Sequence, residues 1–380
     1  MRRRASLLFP TLLWAAQLAA QEAEEPDPGT PWRTSYFPYI NGGTNDGPVF
    51  AFRVHHWQPA EYEDRVTANG ALTADAGVTL RGSRHVAVKF RAPQLFNGWR
   101  LNLLAAATRE VRFGYFGLGN DTEKNDDLVT PAQPFLYRVR RTRYLGQVEA
   151  TRLIRGPLQV ALLGNLENAR FTALPQPSTF RNDFSTELDQ TDASARVALV
   201  YDTRDNEFNT HQGLLLEAGA QVGSGGDGYT RLYTVLRGYV MPREGTVVAA
   251  RVGASGMGGG PTLDARFTIP GWEKEILVLG GQYSHRSFDT GRFAGRHVLF
   301  SNLEVRHDLL AFGDLGAITL LGFLDAGRVF EQDFKLTADD VKVGGGGGIG
   351  LRILRSTIFA FNFAGGPDGF NFSVGSGWMF

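Results

Sequence analysis

The chain has 380 residues, in which 39 lysines and arginines balance 39 aspartates and glutamates. This balance gives no sign of the basic surface that nucleic-acid binding requires. The chain contains no cysteine, which excludes a disulfide scaffold, thiol chemistry and any metal site with cysteine ligands. Its 47 glycines and 12% aromatic residues favour many short strands over helices.

The N-terminus has the three parts of a secretory signal peptide. Arg2, Arg3 and Arg4 precede the apolar run LLFPTLLWAAQLAA, and the acidic stretch QEAEEPD follows it. The run is shorter than the roughly 20 apolar residues of a spanning helix, and Pro10 interrupts it. We therefore predict that residues 1–20 are a signal peptide, cleaved after Ala20.

Alternation of apolar and polar residues with a period of two recurs along the rest of the chain. For example, Val197, Leu199 and Tyr201 alternate with Arg196 and Asp202. This pattern is typical of a strand with one apolar and one polar face, either in a soluble sandwich or, with inverted polarity, in a membrane barrel. The signal peptide, strand lengths near ten residues and an aromatic C-terminus favour the membrane barrel.

The alternating segments number about sixteen, an even number as expected for a bacterial outer-membrane barrel. They are residues 34–41, 47–57, 71–81, 84–92, 99–112, 135–151, 158–171, 192–204, 212–222, 230–241, 246–255, 298–308, 315–326, 343–353, 357–364 and 371–380. With both ends in the periplasm, the long polar stretches 113–134, 172–191 and 256–297 all fall on the extracellular side. We predict an all-β fold, a transmembrane antiparallel barrel spanning residues 34–380, preceded by a short periplasmic segment at 21–33.

The last predicted strand is rich in aromatic residues. Phe370, Phe372, Trp378 and Phe380 occupy even positions and are therefore expected on one face of the strand. We predict that this face forms a C-terminal signal for the outer-membrane assembly machinery during biogenesis.

The third long polar stretch contains the charged segment GGQYSHRSFDTGRFAGRHVLF, residues 280–300. The alternation of the strands that follow places Glu304 and Asp325 on the side of the barrel interior, the lumen, where two carboxylates need a counter-ion. A charged loop that folds inward would supply one, since a single guanidinium can serve two carboxylates. A solvated external loop with unrelated lumen charges is the alternative.

Several motifs together resemble one family of barrels. YSHRSF, FSNLEVRHDL and GFLDAGRVF, with YDTRDNEFNTHQG upstream, resemble the outer-membrane assembly barrel superfamily of the BamA and TamA type, also called bacterial surface antigens. The resemblance implies a sixth extracellular loop folded into the lumen, where its tip arginine, Arg286, pairs with Glu304 and Asp325. It also implies a strand-turn-strand signature that comprises Asp202, Arg204, Asp205, Asn206 and Gly213.

The chain departs from the family pattern in three places. Ser287 stands where the family has glycine, which requires the backbone at 287 to avoid positive φ. Thr210 replaces a usual proline. Residues 21–33 are too few for the periplasmic POTRA modules with which most of the family captures client polypeptides. The glycine run at 344–350 leads into a strand rather than a helix, so it predicts close approach of the inserted loop rather than a phosphate site.

The resemblance implies a function in assembly or translocation. Weak pairing between the first and last strands would open a lateral seam for polypeptide or lipid, and Pro38, Gly42 and Gly43 would limit hydrogen bonding there. The alternative is a passive channel or structural barrel that works with a separate periplasmic partner. In either case we expect an integral protein of the bacterial outer membrane, in contact with its lipids, without enzymatic activity, cofactor or metal.

Overall fold

The computed structural model describes residues 30–41, 45–334, 337, 339–354 and 357–380, most of which lie in strands. The predicted signal peptide, most of the predicted periplasmic segment, and Gly42 and Gly43 lie outside the described residues. Sixteen long strands form the wall: β1 (Arg33–Asn41), β2 (Val49–Pro59), β3 (Ala68–Thr79), β4 (Arg84–Phe96), β5 (Trp99–Gly114), β6 (Arg138–Arg155), β7 (Leu158–Ala173), β8 (Glu187–Asp202), β9 (Gly213–Gly223), β10 (Gly228–Arg243), β11 (Thr246–Gly260), β14 (His297–Ala311), β15 (Gly316–Phe330), β16 (Lys342–Ile353), β17 (Thr357–Gly366) and β18 (Gly369–Ser376).

Besides the 3₁₀ turns Asp126–Leu128 and Gly313–Leu315, the connections in the described part of the chain hold four short elements. They are the helices α1 (Thr179–Phe184) and α2 (Leu263–Arg266) and the strands β12 (Thr268–Ile269) and β13 (Ile276–Leu277). In the described part of the chain, no helix has both the length and the apolar character needed to cross a membrane.

The wall is a single antiparallel sheet in which each strand pairs with the next one along the chain, and β11 pairs with β14 across the long loop between them. β12 and β13 form a separate two-stranded sheet inside that loop. This order confirms the predicted all-β fold of sixteen strands. The sixth loop covers residues 261–296 instead of the predicted 256–297, because β11 continues to Gly260.

The two faces of the wall have opposite chemistry. On β8, Arg196 and Asp202 point inward and are buried, whereas Val197 and Leu199 point outward and are 48% and 56% exposed. Charged groups therefore line the lumen and apolar groups cover the outside. This is the polarity of a barrel that faces lipid, and the inverse of a soluble sandwich.

The first and last strands meet in a different way from the others. β1 and β18 contain only 9 and 8 residues, and their Cα atoms approach within 8 Å of each other. Within the described residues, backbone pairing is found between consecutive wall strands but not between β1 and β18. Among the described residues, β1 and β18 are therefore in contact with no registered pairing found between them, and Pro38 removes one backbone donor from β1.

The predicted C-terminal strand, residues 371–380, is too long. Phe370 and Phe372 point outward as expected and are 74% and 48% exposed. The strand ends at Ser376, however, and Gly377 adopts a φ of +84°. Glycine tolerates this left-handed conformation, which ends the alternation and redirects the chain.

The last two aromatic residues of the predicted signal therefore lie inside the wall. The guanidinium carbon of Arg306 is 4.8 Å from the ring centre of Trp378 and 5.7 Å from that of Phe380. The guanidinium carbon of Arg251 is 4.8 Å from the Phe380 ring. The prediction that Trp378 and Phe380 share a face with the two outward phenylalanines is thus wrong.

The polarity of the wall predicts where a new charge is costly. Val197→Arg places a guanidinium on the outward face, and near the middle of a bilayer it should lower the free energy of unfolding by about 2–4 kcal/mol. Urea unfolding of the protein folded into lipid vesicles measures this loss. Gln147→Arg is the control, because Gln147 lines the lumen near Glu167, and it should cost much less. Equal losses would contradict a lipid-facing outer surface.

Candidate functional site in the lumen

The sixth loop lies inside the space enclosed by the wall. Phe288, Phe293, Ile269 and Leu279 of the loop are each 1% exposed, and they pack against inward side chains of the wall such as Val298. Burial of this apolar surface favours the inserted position of the loop. The charged segment that the sequence singles out therefore lies inside the lumen.

Arg286 joins the loop to two neighbouring strands of the wall. Its Nη1 atom lies 2.5 Å from Oε1 of Glu304 on β14, and its Nη2 and Nε atoms lie 2.7 and 2.9 Å from the two carboxylate oxygens of Asp325 on β15. The backbone N–H of Arg286 also donates to Asp325, at 2.9 Å. The structure thus brings together the three residues predicted to pair, and we call them the loop lock.

The loop lock is almost completely shielded from water. The side chain of Arg286 is 1% exposed and those of Glu304 and Asp325 are 0% exposed. The ring of Phe323 covers the guanidinium, whose carbon lies 3.5 Å from the ring centre. Burial opposes the charge on Arg286, but its two carboxylate partners outweigh that effect and raise its pKa above the ordinary value.

Neighbouring side chains donate further hydrogen bonds to the two carboxylates. Arg306 donates to Oε2 of Glu304 at 2.6 and 2.8 Å. Asn302 donates to Oδ1 of Asp325 at 2.9 Å and to the carbonyl of Ser284 in the loop at 2.7 Å. Each buried acid therefore has a nearby cation and further hydrogen bonds, which is the condition for a buried ion pair to be tolerated.

The glycine run of β16 makes room for the loop beside the lock. A Cβ atom at Gly344 would overlap the side chain of Ser287, and one at Gly366 on β17 would come within 2.7 Å of the Ser287 Cβ. The backbone of Ser287 does not adopt a positive φ, and its hydroxyl donates to the carbonyl of Gly365 at 2.9 Å. Serine is therefore compatible with this position, and the glycines permit the close approach predicted from the sequence.

A second anchor lies across the lumen at Trp272 and Glu273. The carboxylate of Glu273 accepts hydrogen bonds from Arg91 on β4, at 2.7 Å, and from Arg100 on β5, at 2.9 Å. The backbone N–H of Trp272 donates to Glu217 on β9, at 2.6 Å. Sequence analysis missed this anchor. The signal that could have identified it is the GWEKE motif, which stands alone in a polar loop.

A third ion-pair cluster holds the loop where it leaves the wall. Asp264 at the start of α2 lies 3.0 Å from Arg141 and 3.2 Å from Arg143, both inward-facing on β6. Arg292 pairs with Asp368 in the connection between β17 and β18. Charged contacts therefore tie the loop to the wall at several separate places around its circumference.

The strand-turn-strand signature builds the turn at residues 203–212, between β8 and β9. Oδ1 of Asp205 accepts the backbone N–H groups of Asn206, His211 and Gln212. Gly213 has a φ of +111°, and a Cβ there would overlap the carbonyl of Thr203. Asp205 and Gly213 are therefore required by the turn itself.

Three other residues complete this turn. Asp202 accepts hydrogen bonds from Arg204 and lies 2.9 Å from Arg65. Asn206 accepts two backbone N–H groups through its side chain, and its carbonyl accepts the hydroxyl of Thr210 at 2.6 Å. The hydroxyl of Thr210 thus stabilises the turn where the family has proline.

The turn also reaches across the periplasmic mouth of the predicted barrel. Glu207, which sequence analysis missed, accepts hydrogen bonds from Arg91 and Arg100 at 2.6 and 2.7 Å, and so shares these arginines with the loop. Asn209 accepts a hydrogen bond from the indole N–H of Trp378 at 2.8 Å. The loop, the turn and residues 377–380 therefore obstruct the lumen together.

The arrangement is suited to holding an inserted loop by charge. Among the described residues, no group of three or more histidine, aspartate or glutamate side chains is placed to hold a metal ion. The pairs concentrate buried charge between loop and wall, where loss of one partner leaves another uncompensated.

Breaking the loop lock should release the loop while the wall stays folded. Arg286→Ala removes the cation from two buried carboxylates, a change that typically costs about 3–5 kcal/mol. We expect faster chymotrypsin cleavage at Phe288 and Phe293, with an intact heat-modifiable band on a gel. Replacing Glu304 and Asp325 together by Gln and Asn should act similarly, and the combined variant should be strongly non-additive.

The matched control for this experiment is Arg296→Ala in the same loop. Arg296 is 35% exposed in its side chain and lies 3.5 Å from Glu331, so its loss should change cleavage little. Strict additivity between Arg286→Ala and the double acid variant would contradict the loop lock.

The second anchor predicts the response of the loop to acid. Burial opposes the charge on Glu273, but Arg91 and Arg100 outweigh it and hold its pKa below the ordinary glutamate value. A lowered folded pKa contributes stability in full above the ordinary value, about 4.3, and loses it as pH falls through the folded value. Hydrogen exchange of the loop, corrected for intrinsic rates, should therefore stay constant between about pH 7 and 5. A loss of protection in that interval would contradict the anchor, and Glu273→Gln should weaken protection already at pH 7.

The chain is similar to known proteins in both sequence and fold. The model of the Omp85 superfamily domain matches residues 69–378. No curated protein is similar enough to count as a relative. Among solved structures, BamA from Haemophilus ducreyi lacking POTRA domains 1–3 is similar, with a TM-score of 0.59 and 12% identity over 100% of this chain and 80% of that one.

Two further solved structures have a similar fold. CdiB from Acinetobacter baumannii gives a TM-score of 0.51 at 12% identity, and CdiB from Escherichia coli gives 0.54 at 11%, each over 92% of this chain. The chain spans 66% and 62% of those two proteins. At these identities the likeness concerns the fold alone. The sequence match covers most of the chain and agrees with the sixteen-stranded wall, and the chain therefore belongs to the Omp85 superfamily.

Proposed function

We propose that the protein is an outer-membrane assembly or translocation barrel that passes polypeptide or lipid through a lateral seam between β1 and β18. Family membership supports the general function, since BamA and CdiB barrels have the same fold. The apolar outward face supports residence in the bacterial outer membrane, in contact with its lipids.

The observation that carries the proposal is the way the wall closes. Consecutive wall strands are joined by registered backbone hydrogen bonds, whereas within the described residues β1 and β18 are in contact without such pairing. Unpaired edge groups of a strand are a template for another strand. An incoming client strand could pair with either edge without first breaking a ladder of the wall.

The filled lumen favours a lateral path over an axial one. The loop is anchored by Arg286 on one side and by Glu273 on the other, and the turn at 203–212 obstructs the mouth below. A passive channel or structural barrel with a separate periplasmic partner is the alternative. It would require the loop to leave, which breaks several buried ion pairs at once.

Locking the seam with a disulfide tests the proposal. The chain has no cysteine, so a cysteine at Tyr36 or Tyr39 of β1 can be scanned against one at Phe372 or Val374 of β18 without background. The best cross-linking pair, reconstituted in liposomes, should accelerate folding of an unfolded barrel client only when reduced. The control pair is Asn362 and Ser373, which are register partners on β17 and β18, and oxidation of that pair should have no effect.

The outcomes separate the two functions. Client folding that is lost on oxidation of the seam and restored by reductant supports the lateral mechanism. Unchanged acceleration with the seam oxidised would contradict it. Large steady ion conductance without any acceleration of client folding would instead support the passive channel.

A further inference from the structure

A row of arginines faces outward at one rim of the wall. In the sheet register, Arg84 of β4 lies opposite Arg109 of β5, and Arg109 lies opposite Thr142 of β6. Thr142 in turn lies opposite Arg170 of β7. Arg140 lies two residues before Thr142 on β6, on the same outward face. We call Arg84, Arg109 and Arg140 the rim row.

The charges of the rim row are not neutralised by the protein. Arg170 pairs with Asp189 at 2.5 Å, whereas no described carboxylate lies within 4.0 Å of a basic nitrogen of Arg84, Arg109 or Arg140. The Nε atoms of Arg109 and Arg140 are shielded and have no hydrogen-bond partner in the described structure. Like charges directly opposite each other in a sheet are destabilising, so the row is suited to an external anion.

An apolar groove lies directly beside the rim row, toward the middle of the wall. It has a volume of about 530 Å³. The outward-facing residues that line it include Val86, Val88, Ala105, Ala107, Gly146 and Leu166. The groove therefore begins where the arginines end, on strands that include the three that carry the rim row.

The small residues of the groove are not required by packing of the wall. A Cβ at Gly146 would meet no atom closer than 3.9 Å, and one at Gly164 on the neighbouring strand would meet none within 4 Å. Larger side chains could therefore stand at both positions. Their absence leaves a channel among the taller side chains Tyr144 and Leu166, which are 57% and 60% exposed.

We propose that the rim row and the groove bind an anionic, phosphate-bearing lipid of the outer leaflet, with its phosphate against Arg84 and Arg109 and an acyl chain in the groove. This rests on the proposed orientation in the outer membrane, which puts the start of β4 at the extracellular rim. Charge complementarity selects the phosphate, because a guanidinium fork matches its oxygens. The adjoining apolar groove selects a lipid over a soluble anion.

Binding of diphosphoryl lipid A to the purified full-length chain in neutral detergent, titrated by native mass spectrometry, tests the proposal. Arg84→Gln and Arg109→Gln should each weaken binding about fivefold, the equivalent of about 1 kcal/mol per basic residue at a membrane surface. Arg155→Gln is the matched control, since Arg155 is exposed at the opposite rim, at the end of β6, and it should leave affinity unchanged.

Groove filling provides a test that leaves the arginines in place. Gly146→Leu should weaken binding of lipid A at least as much as one arginine substitution, because the acyl chain loses its groove. Gly322→Leu is the control, since Gly322 on β15 also has no atom within 4 Å of a Cβ. Dephosphorylated lipid A should bind weakly, and inorganic phosphate at the same concentration should not compete.

Three outcomes would overturn the proposal. They are equal affinity of wild type and the Arg84→Gln, Arg109→Gln double variant, equal affinity for the dephosphorylated lipid, and full competition by inorganic phosphate. The same variants should keep any client-folding activity of the wild type. Lipid binding by a wild-type protein that folds no client would refute the proposed function and leave the lipid site standing.

Discussion

The inserted position of the sixth loop depends on two carboxylates buried in the wall, for which the wall alone does not supply enough positive charge. Glu304 and Asp325 are 0% exposed on adjacent strands, and buried charges persist only when they are paired and hydrogen-bonded. Arg306 serves Glu304 from the same strand, but the cation that reaches both acids is Arg286, which the sixth loop brings from outside the sheet. Wall and loop are therefore one electrostatic unit. Once Arg286 is held at β14 and β15, the rest of the loop must cross the lumen, and this brings Glu273 to the arginines of β4 and β5.

The crossing loop has a consequence for transport. Its buried side chains and ion pairs lie across the lumen, and the turn at 203–212 contacts residues 377–380 at the periplasmic mouth. Within the described residues, the wall lacks registered pairing at one place, where the short strands β1 and β18 are in contact. Under the proposed function, any opening of the wall therefore occurs at that seam. The rim row and groove lie elsewhere on the wall, on β4 to β8, so that lipid binding there and opening of the seam can be tested separately.

The fold could be read from the sequence because a lipid-facing sheet imposes alternation, which strands such as β8 carry clearly, although the glycine run of β16 does not. The loop lock could be predicted because alternation placed Glu304 and Asp325 inward and the family resemblance supplied Arg286. Glu207 and Glu273 could not be predicted, since they lie in irregular segments where no period assigns a side. Alternation misled at Trp378 and Phe380, because the pattern continues past Gly377 while its positive φ turns the backbone. The sequence also gave no measure of how dry the lock is, which the 0% exposure of its acids establishes.

Hydrogen exchange of individual backbone amides in the membrane-reconstituted protein tests the seam most directly. In a sheet, alternate amides of β18 point toward β17 and toward β1. Closure by contact predicts a period-two pattern, in which β18 amides directed at β17 are protected and those directed at β1 exchange much faster, while interior strands such as β8 are protected throughout. Uniform strong protection along β18, equal to that of β8, would show a continuous hydrogen-bonded wall and contradict the account.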